Sequence, residues 1–280
     1  MTEQITAAPD APGARGGGVP DPAGPAPRQD RRTLRAVLRW AAAVLVFGAA
    51  GVGTAYGIAR AERTDLPGLS TKSDGRWAYP VLARPTPPPG AALPFAADNP
   101  EGIHYTDLTR LLLPAPQGST PDAGLKLEKD SAVAVDTFLE EYEPSARSAM
   151  REQFDVDGLR QIAGRGWTTP DGTRTRIYLL RFHTSGFADT FKGCGTEMAL
   201  NGVKQVVPDE VWDKAAADQL SPSIGGIKVL KESDAFGDDQ TRVGCVQAGD
   251  IQALVLQSRK GGAAAVPLHQ TVILQDQLLH

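Results

Sequence analysis

Four absences narrow the chemistry open to this 280-residue chain before any pattern in it is read. It holds only two cysteines, with no CxxC spacing, so a thiol-rich metal or redox centre has no framework. No GxSxG elbow, HExxH helix or GxxxxGK[ST] loop occurs, which removes the common local signatures of hydrolases, metalloproteases and nucleotide enzymes. There is no basic excess: the formal net charge is -4 and the pI about 5.6, against a nucleic-acid partner that needs cations to displace counterions from phosphate. Aromatic residues make up 6%, and 30 glycines and 22 prolines lie largely outside the periodic segments, so a compact enzyme using the whole length is disfavoured.

What is present is unevenly placed. Residues 1–40 carry six arginines against four acids, and Arg28, Arg31, Arg32, Arg35 and Arg39 crowd before an apolar run over 40–59 in which only Tyr56 is ionisable. Twenty helical residues span roughly 30 Å, the thickness of a bilayer's hydrocarbon core. The run therefore predicts an integral membrane helix over 35–60, with the arginine cluster holding the N-terminus in the cytoplasm. A cleavable signal peptide is the rival, since Ala59-Arg60-Ala61 has the small-x-small form. Against it, the run exceeds the usual 7 to 15 apolar residues and a long segment precedes it.

Within the run, Ala49, Gly53 and Gly57 recur every four residues and put small side chains on one helical face, where a weak homodimer contact would fit. Ala/Gly-rich composition alone accounts for such spacing more simply. Residues 1–34, with almost no large apolar side chain, read as a disordered cytoplasmic tail. Residues 61–99, with Pro85 and a proline triplet at 87–89, read as an extracytoplasmic stalk, interrupted by Trp77, Tyr79, Val81 and Leu82 as candidates for docking.

Folded structure is expected over 100–280. Ile103, Leu108, Leu111 and Leu112 suggest a short helix before Pro114, and Ala132, Val135, Phe138, Leu139 and Tyr142 line one face of a helix over 130–142, with Pro144 as its stop. Met150, Phe154, Leu159 and Ile162 continue helical turns to Gly164. Pro170-Asp171-Gly172 then joins two strands, the second carrying Ile177, Tyr178 and Phe182. A short helix over 185–191, strands over 198–207 and 226–230, a hairpin turning at Ala248-Gly249-Asp250 and a helix over 268–279 burying Val272, Ile273, Leu278 and Leu279 complete the reading. The order implies an α+β domain, an antiparallel sheet with helices packed on one side.

Cys194 and Cys245, both on the outer side of the predicted membrane, are expected to form a structural disulfide. His183, Ser185 and Asp189 contain the residue types of a triad, but a strand–helix junction with a capping hydroxyl explains them more simply. His104, His269 and His280 are dispersed, and the acidic runs at 155–158 and 234–239 lack the alternation of a calcium loop, so no metal or other cofactor is implied.

The layout, with RIYLLRFHTSGFADTF and RVGCVQAGDIQALVLQS in its C-terminal half, is similar to envelope proteins of high-GC actinobacteria. Residues 125–280 resemble, at a distance, the extracellular sensor domains of actinobacterial Ser/Thr kinases and related lipoproteins. That resemblance implies a helix-plus-antiparallel-sheet domain that binds envelope ligands. The chain departs from the group in having no kinase domain before the span, one disulfide where two are common, and no lipobox cysteine. The expected function is thus a membrane-anchored extracytoplasmic binding or sensor-like protein with an envelope ligand or partner protein. An extracytoplasmic hydrolase-like enzyme and a structural envelope protein stand as alternatives.

Overall fold

The computed structural model describes residues 31–60, 73–219 and 226–280. Of the tail expected over 1–34, residues 1–30 lie outside the described residues, as does the first part of the stalk, 61–72, whereas residues 31–34 are helical, so the helix starts four residues before the expected 35. The chain divides into two compact units, Met1–Lys72 and Ser73–His280.

In the first unit, α1 (Arg31–Arg60) is a single 30-residue helix. Its stretch Arg32–Gly57 is long and apolar enough to cross a membrane, and no part of it is buried in protein. Trp40, Val44, Leu45, Val46 and Phe47 are exposed, so this apolar surface lacks the protein cover that a core helix would have. Thr54, the polar interruption, returns its hydroxyl to the Ala50 carbonyl at 2.7 Å, which leaves the helix without an unsatisfied donor there.

The second unit is α+β, as its sequence order implies. Seven strands, β1 (Thr120–Pro121), β2 (Gln161–Thr168), β3 (Arg174–Arg181), β4 (Val206–Pro208), β5 (Ile227–Glu232), β6 (Asp239–Ala248) and β7 (Ile251–Lys260), form one antiparallel sheet. Their order is β1-β2-β3-β7-β6-β5-β4. The helices are α2 (Val135–Leu139), α3 (Pro144–Val156), α4 (Ser185–Thr190), α5 (Glu210–Gln219) and α6 (Ala265–Leu279).

Two turns fix the sheet's register. Between β2 and β3 the Asp171 carboxylate accepts from the Thr169 hydroxyl at 2.6 Å, the Thr173 amide at 3.1 Å and the Thr173 hydroxyl at 3.0 Å, while Gly172 takes φ +84°. Between β6 and β7 only Gly249 and Asp250 intervene, and a side chain at Gly249 would strike the Gly102 carbonyl oxygen, 1.9 Å from where its Cβ would stand. Only glycine fits that approach.

Strand alternation then builds two cores. Ile177, Leu179, Val246, Ala253 and Val255 face α6, where Leu268 and Val272 cover them. Tyr178, Leu180, Val243, Cys245, Leu254 and Leu256 face the opposite way, under Phe138, Phe154, Phe182 and Phe191. Helical cover, read from the sequence onto one side, extends over both. At Gly244 the α6 side is tightest: an added Cβ would lie 2.1 Å from a Val272 methyl.

Several local expectations are revised. The helix read over 130–142 is a 3-10 turn at Lys129–Ser131, where Asp130 has φ +56°, followed by the five residues of α2. Pro144 does not merely stop a helix. It opens α3 at a position where its missing N–H has no partner to lose. Gly158, at φ +64°, ends α3, so Ile162 lies in β2 and the change of period comes six residues earlier than Gly164 suggested. The helix near 103–112 is one 3-10 turn, Leu108–Leu111, capped by Asp107. Of the strand over 198–207 only β4 and a bridge at Leu200 form, α5 was not read from the sequence at all, and Ile273 on α6 is 40% exposed.

The segment expected as a stalk is docked in its described part. Trp77 exchanges two backbone hydrogen bonds with the Gln270 side chain, donating its N–H at 2.8 Å and accepting at 2.9 Å. The Tyr79 hydroxyl meets that of Thr271 at 2.8 Å, and Tyr79 and Leu82 pack on the α6-side core, whereas Val81 is fully exposed. Further along, Gln275 accepts from the Leu113 N–H and donates to the Leu111 carbonyl, each at 2.9 Å, and His104 Nε2 lies 2.7 Å from the Leu279 carbonyl oxygen. Gln270 and Gln275 on α6 thus satisfy main-chain groups of a segment that has no strand of its own to join.

Candidate functional site

In the second unit an open cavity of ≈ 660 Å³ lies between the loop after α4 and the strand β5. One wall begins with α4, whose first turn is capped by the Thr184 hydroxyl accepting from the Phe187 N–H at 3.4 Å. The loop behind it is fastened at three points. The Phe191 ring stacks on Phe154, centroids 5.6 Å apart, and packs on Phe182. Tyr142 donates its hydroxyl to the Gly193 carbonyl at 2.6 Å, and burial pushes that phenol far above its ordinary pKa. Cys194 is joined to Cys245 on β6, with 5.9 Å between their Cα atoms, within the range a disulfide requires.

The opposite wall is β5 together with the turn from Pro208 into α5. Asp209 anchors that turn: its carboxylate accepts from the Val211 N–H at 3.1 Å and from Arg242 at 2.6 Å, and His269 lies 3.4 Å away. Burial pushes the Asp209 pKa up, but Arg242 and His269 more than offset it, leaving the group below the ordinary carboxylate value. Burial likewise draws His269 below the usual imidazole value, against the pull of Asp209. The cavity between these walls has Phe191, Cys194, Ile227 and Val229 as an apolar lining. Its rim carries charge of both signs, with Asp189, Glu197 and Asp213 against Lys192 and Lys228. An apolar lining with a few placed polar groups is the composition of a binding pocket, and the volume lies in the range of small-ligand sites.

The disulfide expected between Cys194 and Cys245 forms, beside this cavity, with Cys194 in the loop after α4 and Cys245 in β6. His183, Ser185 and Asp189 are not brought together as a triad. His183 is exposed over Gly158, Ser185 donates to Glu101 at 2.9 Å, and Asp189 stands at the cavity rim. The cap of α4 is Thr184, one residue before the serine. The three dispersed histidines each meet a different carboxylate, His104 with Asp250 at 2.7 Å, His269 with Asp209 at 3.4 Å and His280 with Asp276 at 3.0 Å. Among the described residues no group of three or more His, Cys, Asp or Glu side chains could hold a metal ion. The acidic run at 155–158 includes the end of α3, and in the run at 234–239 Asp238 pairs with Lys260 at 3.1 Å.

A second polar cluster lies on the α2–α3 side. Arg176 bridges Asp122 and Glu141, each at 2.6 Å, and Tyr178 donates to the same Glu141 oxygen at 2.5 Å. Burial alone would lower the Arg176 pKa, but the two carboxylates raise it, so the cation is locked. The hollow beside it is only ≈ 50 Å³, and the network acts as a cross-link from β3 to two loops. On α1, Ala49, Gly53 and Gly57 share one exposed face, and a Cβ added at Gly53 or Gly57 would meet nothing within 4 Å.

These walls and this sheet define an α+β module with a pre-formed cavity at a sheet edge, braced by a disulfide. Comparison with protein families, with curated proteins and with solved structures finds no match to this chain.

Proposed function

We propose that the chain is a single-pass membrane protein of the cell envelope, with its N-terminus in the cytoplasm, whose extracytoplasmic domain binds a ligand or partner through the cavity between the 191–197 loop and β5. The observation that carries the reading is that cavity. Its walls are held by a disulfide, a buried tyrosine and an ion pair, so the shape exists before any ligand arrives and little ordering entropy opposes binding. Support for the anchor comes from α1, which is long and apolar enough to span and has arginines at its start. The likeness to actinobacterial envelope sensor domains points the same way.

Two measurements test the proposal. Protease added to intact spheroplasts is expected to digest the C-terminal domain and spare an N-terminal tag; the reverse pattern overturns the orientation. The full chain in detergent micelles is then presented with a phage-displayed heptapeptide library and a small-molecule fragment library. Ligands are expected whose binding is lost on Thr196→Trp or Lys228→Trp, both exposed residues at the cavity. No ligand from either library, or ligands indifferent to both replacements, overturns the site.

A further inference from the structure

Four consecutive residues of β5, Ile227, Lys228, Val229 and Leu230, line the cavity. Successive strand side chains point to opposite faces. Here Ile227 and Val229 belong to the core under α6, and Leu230 to the core on the other face. A hollow that touches residues of both faces lies against the edge of the strand.

That edge is only half paired. The β4 ladder with β5 ends at Pro208 opposite Leu230, while on the other side β6 runs on to pair with Ile227. One bond reaches beyond the ladder, from the Asp209 N–H to the Val229 carbonyl at 2.9 Å. The Val229 carbonyl therefore faces away from β6, and main-chain groups two residues apart on a strand face the same way. By this alternation the N–H and C=O of Ile227 also point away from β6, toward the cavity. The bond from the Gln247 N–H to the Gly226 carbonyl, at 3.0 Å on the β6 side, fits the same alternation. Among the described residues nothing is hydrogen-bonded to the Ile227 main chain on its outward side.

From this we infer that the occupant of the cavity is an extended peptide segment of a partner protein, added to the sheet as a short strand beside β5. The inference rests on the reading of the cavity as a binding site. A donor and an acceptor presented together on one strand residue are matched by another extended main chain. Peptide side chains on one face then meet the apolar lining at Phe191 and Cys194, and those on the other face meet Ile227 and Val229, with the charged rim around both. That rim holds one carboxylate more than it holds ammonium groups, which favours a peptide with net positive charge. After Asp209 the chain turns into α5, with the Asp209 carboxylate accepting from the Val211 N–H, so β4 does not run on to fill the edge itself.

The test uses the full chain in detergent micelles and the tightest heptapeptide selected from the library, synthesised with blocked ends. Two further versions carry N-methyl groups on alternate amides, one set on odd positions and one on even. Only one set of peptide amides faces the sheet, so one version is expected to bind at least tenfold more weakly and the other within about twofold of the parent. Exchange of the Ile227 amide hydrogen is expected to slow in the complex. Ile227→Pro, which removes an N–H that β6 does not use, is expected to weaken binding at least tenfold. The N-methyl series gives its answer even where this variant folds poorly.

Equal binding of all three peptides, with Thr196→Trp still abolishing it, overturns strand addition and leaves the site standing. Binding of fragments but of no peptide has the same consequence. Slow exchange at Ile227 in a protein dimer without peptide overturns the partner in favour of a second copy. Binding from neither library removes the site and this inference together.

Discussion

At Asp209 a carboxylate 2% exposed holds together the turn that forms one cavity wall. Its pKa is depressed because Arg242 and His269 outweigh the cost of burial. A group whose folded pKa lies below its unfolded value stabilises the fold above the unfolded value, and that stabilisation is lost as pH falls through the folded one. Asp209 therefore contributes fully at neutral pH and loses its contribution below about pH 4, the unfolded carboxylate range. Arg242→Met, which leaves the buried carboxylate without its guanidinium, is expected to cost about 2 kcal/mol at pH 7, less than a fully buried pair because Arg242 is partly solvated. In urea denaturation the gap from wild type should close as pH is lowered toward 3; a gap unchanged by acid would show that the ion pair is not its source.

At the scale of elements, the loop over 191–197 is a cavity wall only because it is tied to β6. Cys194 and Cys245 close a loop of 51 residues, which in the chain-entropy model stabilises the fold by about 4 kcal/mol. The double replacement Cys194→Ser, Cys245→Ser is expected to lower the urea midpoint accordingly, and the native chain should take up no maleimide without reductant. Quantitative labelling of the untreated protein would exclude the bond. Both hairpins were legible in the sequence because their turn residues are local and specific: Asp171 and Gly172 in one, Gly249 in the other. The final helix was legible from its apolar spacing. The helix start at Pro144 was not, since proline ends one helical pattern as readily as it opens another. The cavity left no local mark either. Its walls come from segments some 30 residues apart, and its open edge exists because β4 is three residues long. Two of the three histidine–carboxylate pairs were hidden for the same reason, with 146 residues separating His104 from Asp250 and 60 separating Asp209 from His269.

Across the second unit, the sheet is a divider between two cores and not the floor of one. Strands β3, β7 and β6 are apolar on both faces, so their sequences show long buried runs in place of a clean alternation. That pattern is what a strand needs when α6 and the 73–113 segment cover one side and α2 to α4 the other. It also explains why a stretch rich in proline belongs to the domain. Residues 73–99 have few apolar side chains, but Tyr79 and Leu82 reach the core, and α6 supplies hydrogen-bond partners to the main chain around them.

That docking has a mechanical meaning. Tension applied to the chain at Ser73 meets latches on one helix one after another, Trp77 on Gln270, Tyr79 on Thr271, His104 on Leu279 and Leu111 with Leu113 on Gln275. Latches met in series bear load singly, as a zipper does, whereas the paired bonds of the central strands share it. With optical-tweezer handles at Ser73 and His280, the segment should peel away first, lengthening the molecule by on the order of 100 Å, before the sheet gives way at higher force. Gln270→Ala should lower the force of the first event and leave the second unchanged, and a single rupture in both proteins would count against the zipper. A pull on this domain would then release a length of chain while the cavity stays intact, a reserve of slack folded against one helix.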